Sequence, residues 1–305
     1  MNESFFIVGQ QVIILFIMIF IGYICAKCAL FSEEGIKSVT NFVLYIIIPC
    51  VIINSFHRDF DAAMMENLIK AFFAALFVHI LNIILVNLLI HDKEEGRERV
   101  LKFAAIFSNC GYMALPLQEA LLGKDGVFLG AVFIAVFNLI NWTYGLFLMG
   151  GKGTKISIKT AILNPGVIGV IFGCIFFLTP LKLPHILLTP LQNFASMNTP
   201  LPTIIIGFYL ARVPGFSVLK DKKLCLALIL RLVVLPVISM LILLACGLRG
   251  SLLASMVIAA SAPCAANTAM FAAKFERDTS LSVTLVSVST LFSILTMPVL
   301  VQFCM

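Results

Sequence analysis

Ten apolar runs, separated by short polar links, constrain this chain more than any other feature. They cover roughly 5–26, 37–56, 67–90, 100–122, 127–149, 161–179, 190–211, 222–247, 251–273 and 280–303. A helix needs about 20 apolar residues to cross the hydrocarbon of a bilayer, and each run is close to that length. One water-soluble core cannot hide them all. Of the residues 61% are hydrophobic and only 12% are charged, where a soluble domain carries roughly 25% charge. In hydrocarbon, backbone N–H and C=O groups must pair within each span, and that selects helices. The expected fold is an all-α polytopic membrane protein of ten transmembrane helices.

The few charges sort by side. Loops after odd-numbered runs hold Lys27, Lys37, Lys93, Arg97, Arg99, Lys102, Lys152, Lys155, Lys159, Arg212, Lys220, Lys222, Lys223, Lys274 and Arg277. The opposite side holds Arg58, Lys124, Lys182 and Arg249. The positive-inside rule then places both termini outside the cytoplasm and the linker 150–160 within it. That requires an even number of spans, in a plasma (inner) membrane. The net charge of +6 reads as topology control and attraction to anionic lipid. No basic face with aromatics suggests nucleic acid. The nine Cys, among them Cys25, Cys50, Cys174 and Cys246, show no metal-ligand spacing and read as small core residues. No metal or cofactor is expected. Run one follows Met1-Asn2-Glu3-Ser4 without a basic n-region, so it reads as a helix rather than a removed signal.

Five runs on each side of the linker give two halves of opposite orientation, 1–149 and 161–305. This is the arrangement of inverted repeats. Echoes between the halves agree: Asn41 with Pro49 in run two answers Asn193 with Pro200 and Pro202 in run seven. Lys70 and His79 in run three answer Lys222 and Arg231 in run eight.

Runs four and nine are interrupted at matching places. One reads Phe107-Ser108-Asn109-Cys110-Gly111-Tyr112-Met113-Ala114-Leu115-Pro116; the other reads Ala260-Ser261-Ala262-Pro263-Cys264-Ala265-Ala266-Asn267-Thr268. Proline lacks a backbone donor and clashes with the preceding turn, so helices break there. A matched pair of broken helices points to a transporter's binding site. Pro116 and Pro263 are expected to open second half-helices, with Ser261 capping the latter. Helix N-termini carry about half a positive charge and free N–H donors, so two of them form an anion site. A small organic carboxylate is the expected guest. It is expected to meet Asn109, Gly111, Tyr112 and Pro116 from one break and Ser261, Pro263, Cys264 and Asn267 from the other, with Asn41 and Asn141 near by.

Ser108-Asn109 through Leu115-Pro116-Leu117 and on to Gly123 resembles the fourth helix of the auxin efflux carrier family. Asn41 to Pro49, Asn164-Pro165 with Gly173, and Ala262-Pro263 leading to Ala273-Lys274-Phe275 resemble its other motifs. The resemblance spans the whole chain. It implies two five-helix inverted repeats, helices four and nine crossing in a transport domain, and a scaffold domain. It also implies export of small organic acids by an elevator-like motion, on a fold shared with bile acid:sodium symporters. Asn109 and Pro116 match the family's crossover asparagine and proline, and Pro263 its second crossover proline. Asn267-Thr268 depart from the more apolar plant sequences, and the long plant loop is absent.

Ionisable residues inside the membrane are functional hypotheses. His79 is either a titrating group or an interhelical hydrogen-bonding one. Arg231 either snorkels or serves as a counter-charge to substrate. Glu119 is either a proton or cation ligand or an outer-vestibule residue. Asn138, Asn141 and Trp142 in run five face the crossover or bond between helices. A sodium-coupled symporter would use Ser261, Asn267 and Thr268 as oxygen ligands. A sensor on the same fold would bind without moving cargo. No Gly-x-Ser-x-Gly elbow, His-Glu-x-x-His or midplane Asp pair occurs, so no enzyme is expected. The expected partners are the carboxylate, a coupled proton or sodium, the bilayer, and a second copy through scaffold helices.

Overall fold

The computed structural model describes residues 2–151, 154, 159, 162–212 and 220–304. The expected cytoplasmic linker, with Lys152 and Lys155, lies mostly outside the described residues. Each apolar run is helical. Run one is α1 (Asn2–Lys27). Run two is α2 (Glu33–Phe42), a π-helical turn (Val43–Ile47) and α3 (Ile48–Phe56). Run three is α4 (Ala62–Leu89). Run four starts with α5 (Glu95–Ile106), breaks, and resumes in a π turn (Cys110–Ala114) and α6 (Leu115–Ile140). At Gly123 the backbone takes φ 61°, a left-handed value cheap only for glycine. There α6 turns back on itself and becomes run five, completed by a π turn (Asn141–Gly145) and α7 (Leu146–Gly150).

Run six is α8 (Pro165–Leu178), and run seven is α9 (His185–Ser196) with α10 (Pro200–Leu210). Run eight is α11 (Lys222–Ile229), a π turn (Leu230–Val234) and α12 (Leu235–Ala245). Run nine is α13 (Gly250–Ser261), a break and α14 (Asn267–Lys274); run ten is α15 (Thr279–Gln302). Among the described residues, five stretches are long and apolar enough to cross a membrane, by length and composition: Glu33–Phe56, Ala62–Leu89, Cys110–Gly150 with its turn at Gly123, Lys222–Ala245 and Thr279–Gln302.

Three of the π turns end two residues before a proline, at Pro49, Pro116 and Pro236. A proline ring clashes with the carbonyl four residues back. One wider turn relieves the clash without ending the helix. Polar side chains cap several of the helices that follow loops. Ser32 caps α2, Asp61 caps α4, Asp221 caps α11 and Asp278 caps α15, each satisfying first-turn N–H groups.

The interrupted helices form the centre. Val100 to Ile106 of α5 and Leu252 to Ser261 of α13 are buried throughout. By contrast, α1, α4 and α8 leave Ile17, Phe20, Phe73, Leu88, Phe172 and Leu178 exposed, as a lipid-facing belt requires. Of the cysteines, Cys110, Cys264 and Cys304 are buried. Cys25, Cys50 and Cys174 are half-buried and Cys246 is exposed, so the reading of Cys246 as a core residue is corrected: it lies at the end of α12, beyond the packed interior.

α1 packs tightly on α10. A Cβ on Gly22 would lie 2.4 Å from the Ile204 carbonyl oxygen, and one on Gly207 2.0 Å from that of Ile19. Small residues let membrane helices approach this closely. Gly207→Val is therefore expected to lower the apparent Tm in detergent by several degrees. A variant as heat-resistant as the wild type would contradict the contact.

Arg97 joins the α4–α5 loop to the start of α11 by pairing with both Asp92 and Asp221. Burial works against the Asp221 carboxylate, but the Arg97 bond and the Leu224 and Lys223 amides outweigh it and hold its pKa below the ordinary value. The stabilisation is therefore present at neutral pH and lost as pH falls through the lowered pKa. Asp221→Asn keeps the cap and loses the charge. Its deficit in Tm is expected at neutral pH and should shrink in acid; a deficit independent of pH would refute this account.

Candidate functional site at the crossing of the broken helices

Residues 107–109 link α5 to the next turn, and residues 262–266 link α13 to α14. The two links cross and pair as an antiparallel bridge between Ser108 and Cys264. Asn109 N–H donates to the Pro263 carbonyl at 2.8 Å, and Ala265 N–H donates to the Phe107 carbonyl at 2.9 Å. Cys264 N–H donates to Ser289 Oγ at 3.0 Å. Extended backbone at this depth is tolerated because protein groups satisfy it.

The bridge corrects three expectations. Asn109 Oδ1 accepts from Tyr112 N–H at 3.4 Å, so Asn109 caps the second half-helix. That helix starts at Cys110, and Pro116 lies buried within it rather than opening it. Pro263 does not open α14 either, because its carbonyl is committed to the bridge; the helix restarts only at Asn267. Ser261 is the last residue of α13 and donates back to the Ile258 carbonyl at 3.2 Å. No side chain caps α14.

Arg231 is fully buried, so it does not snorkel. Its π turn places the guanidinium beneath the crossing. Nη1 donates to the Ala105 and Ile106 carbonyls at 3.3 and 3.0 Å, and Nη2 donates to the Ala260 carbonyl. Asn82 Nδ2 also donates to the Ile106 carbonyl, at 3.4 Å. These carbonyls are the negative C-terminal ends of both first half-helices. One cation therefore neutralises both, while the positive N-terminal ends after Asn109 and Ala266 keep no carboxylate partner among the described residues.

A cleft with about 430 Å³ of empty space, counted to its open mouth, lies over those N-termini. Asn109, Gly111, Tyr112 and Asn267 line it, together with Ser108, Asn138 and Ala266. Leu44, Ile48, Ile134 and Phe137 form its apolar wall. A second cleft, about 370 Å³, shares Asn109, Tyr112 and Ala266 but is closed by Ile205, Tyr209, Ser287 and Thr290. The lining is thus neutral amides, helix N-termini and hydrocarbon. Sites for small amphipathic molecules have this make-up.

Other expected residues lie elsewhere. Asn41 is exposed on α2, outside both clefts: its face of the helix turns away from the crossing. Asn141 is fully buried one turn past Asn138, and neither atom of its amide has a partner. Cys264 is buried in the bridge. Thr268 Oγ1 donates to the Ala265 carbonyl at 2.7 Å. Among the described residues His79 bonds only within its own helix: Nδ1 pairs with the Ala75 carbonyl at 2.7 Å, and its ring packs on Phe133. Trp142 packs edge-on against Phe271 of α14.

Two groups were given no place at the site by the sequence reading. Asn164 Oδ1 accepts from Gly166 N–H and caps α8, holding Gly166 at the cleft; the Asn-Pro-Gly string was the available signal. The buried Ser and Thr residues of α15, including Ser287, Ser289 and Thr290, form a polar face within an apolar run. Their helical spacing was legible, but Ser and Thr can also bond their own helix, so polarity alone named no site.

The model of a family described as membrane transport protein matches residues 7–301. An uncharacterized transporter of Methanocaldococcus jannaschii is 24% identical over 302 residues, covering 93% of this chain and 94% of its own length.

Proposed function

The chain belongs to the auxin efflux carrier-like membrane transport family, and from that premise we propose that it carries a small organic anion, a mono- or dicarboxylate, across the membrane. The observation that carries this reading is the arrangement at the crossing. Arg231 offsets the helix ends that would repel an anion, and the cleft opens onto the ends that attract one. Asn109, Asn138 and Asn267 supply neutral donors, and the apolar wall takes a short carbon skeleton. Anion recognition without a side-chain cation in the cleft suits a carrier, which must also release its cargo.

Each half of the chain contributes one broken helix, one wall of a cleft and one adjoining helix. This supports two inverted repeats, 1–149 and 161–305, and alternating access by an elevator-type motion. The two clefts meet at Asn109, Tyr112 and Ala266, where cargo would pass from one side to the other. Export is the direction the resemblance implies.

The test is charge movement on purified protein in liposomes after concentration jumps of mono- and dicarboxylates, without and then with sodium. Current in sodium-free buffer is the expected result. Current that appears only with sodium would replace this reading by a sodium-coupled one. Neither current nor labelled-carboxylate flux would leave no carrier of these anions.

A further inference from the structure

Glu119 is the one Asp or Glu within the ten apolar runs. It lies half-buried near the start of α6. Its single partner among the described residues is an amide: Asn198 Nδ2 donates to Glu119 Oε2 at 3.5 Å. Asn198 sits in the turn between α9 and α10 and is fully buried. Its Oδ1 has no partner. A buried amide oxygen beside a carboxylate is doubly unfavourable. The oxygen lacks a donor, and the carboxylate that its amide meets offers only lone pairs.

One proton resolves both faults. Added to Glu119, it gives an O–H that donates to Asn198 Oδ1, while the other carboxyl oxygen accepts from Asn198 Nδ2. The two side chains then satisfy each other as an acid–amide pair. We propose that Glu119 and Asn198 form a proton-binding site fastening α6, just beyond the crossing, to the turn between α9 and α10. Its bearing on transport rests on the anion-carrier reading. There, the site makes the proton the coupled ion, because binding one strengthens the contact between the crossing helices and run seven.

Most of the charged groups on the elements packed against α6 have partners of their own. On α6 and just after α3, Asp125 pairs with Arg58. On α4, Glu66 pairs with Lys70, and His79 bonds its own helix. Before α13, Arg249 donates to the Leu244 and Leu248 carbonyls. α1 carries Glu3 in its first turn and Lys27 in its last, and Lys124 follows Glu119 by five positions. Neither α8 nor α10 contains an acid or a lysine.

The test has one arm that needs no substrate. Infrared difference spectra of the protein in liposomes, between about pH 6 and pH 9 and so above the range near 4 in which ordinary carboxylates titrate, should show a protonated-carboxyl band. The band should vanish in Glu119→Gln and persist in Glu3→Gln. A wild type without the band, or a band surviving in Glu119→Gln, overturns the site. The second arm is labelled malate flux under an imposed pH gradient. Wild type should accumulate malate. Glu119→Gln, whose amide imitates the protonated acid, should only equilibrate it, at a rate within about twofold. Accumulation by that variant, or its absence in a wild type that equilibrates malate, overturns the coupling. If wild type moves neither malate nor any other mono- or dicarboxylate, the carboxylate reading fails, while the infrared arm still decides the proton site.

Discussion

Asn109→Ala is expected to cut carboxylate flux at least about tenfold while leaving expression intact. The residue does two things: it caps the second half-helix through Tyr112 N–H, and it lines both clefts. Loss of a cap costs about 1 kcal/mol, which a folded protein usually survives. A hydrogen bond to a charged ligand contributes about 1.5–3 kcal/mol, or roughly ten- to a hundredfold in affinity. Asn109→Asp separates the two roles. Aspartate caps as well as asparagine, but it sets a negative charge where the anion binds. If Asn109 contacts the cargo, the Asp variant should fold like the wild type and transport no better than the Ala variant. Flux in Asn109→Asp equal to the wild type would reduce Asn109 to a cap and sink the site assignment.

Arg231→Met is expected to have the largest effect on stability. Methionine fills much of the same volume without a donor. The variant orphans the Ala105 and Ala260 carbonyls in a fully buried place and leaves the Ile106 carbonyl only the long bond from Asn82. Each orphaned carbonyl costs about 1–3 kcal/mol, so the sum approaches the whole stability of a typical domain. Expression should fall, and the surviving protein should melt many degrees lower by calorimetry in detergent. Arg231→Lys keeps the charge with a compact ammonium. It reaches fewer carbonyls than the planar fork, so an intermediate Tm is expected. If Arg231 served only as a counter-charge to substrate, Arg231→Met would keep its Tm and raise KM alone. That pattern would overturn the bridging role.

The ten apolar runs, and their helical state, were legible because bilayer thickness and backbone pairing leave one solution for such segments. The interruptions at Asn109 and Pro263 were legible for a local reason as well: Pro, Asn and small residues are out of place in an otherwise aliphatic span. Proline favours a helix start by its local chemistry, yet neither helix restarts at its proline. At Pro116 a π turn carries the helix past the ring, and at Pro263 the bridge delays the restart to Asn267. The asparagines divided the same way. Asn109 and Asn267 sit at breaks and line the cleft. Asn41 and Asn141 looked alike by type, yet one faces outward and the other is buried away from the cleft.

By itself, then, the sequence determined the membrane class, the number of apolar runs and the two places where helix fails. These depend on hydropathy and on backbone chemistry within about ten residues. Tertiary structure alone decided which broken ends meet and what balances them. The Ser108–Cys264 bridge joins links more than a hundred residues apart. The charge that serves both helix ends comes from a third helix. Arg231 and Glu119 each looked like an isolated ionisable group in an apolar run. Their partners, backbone carbonyls in one case and the Asn198 amide in the other, are fixed by long-range packing and leave no local trace in the chain.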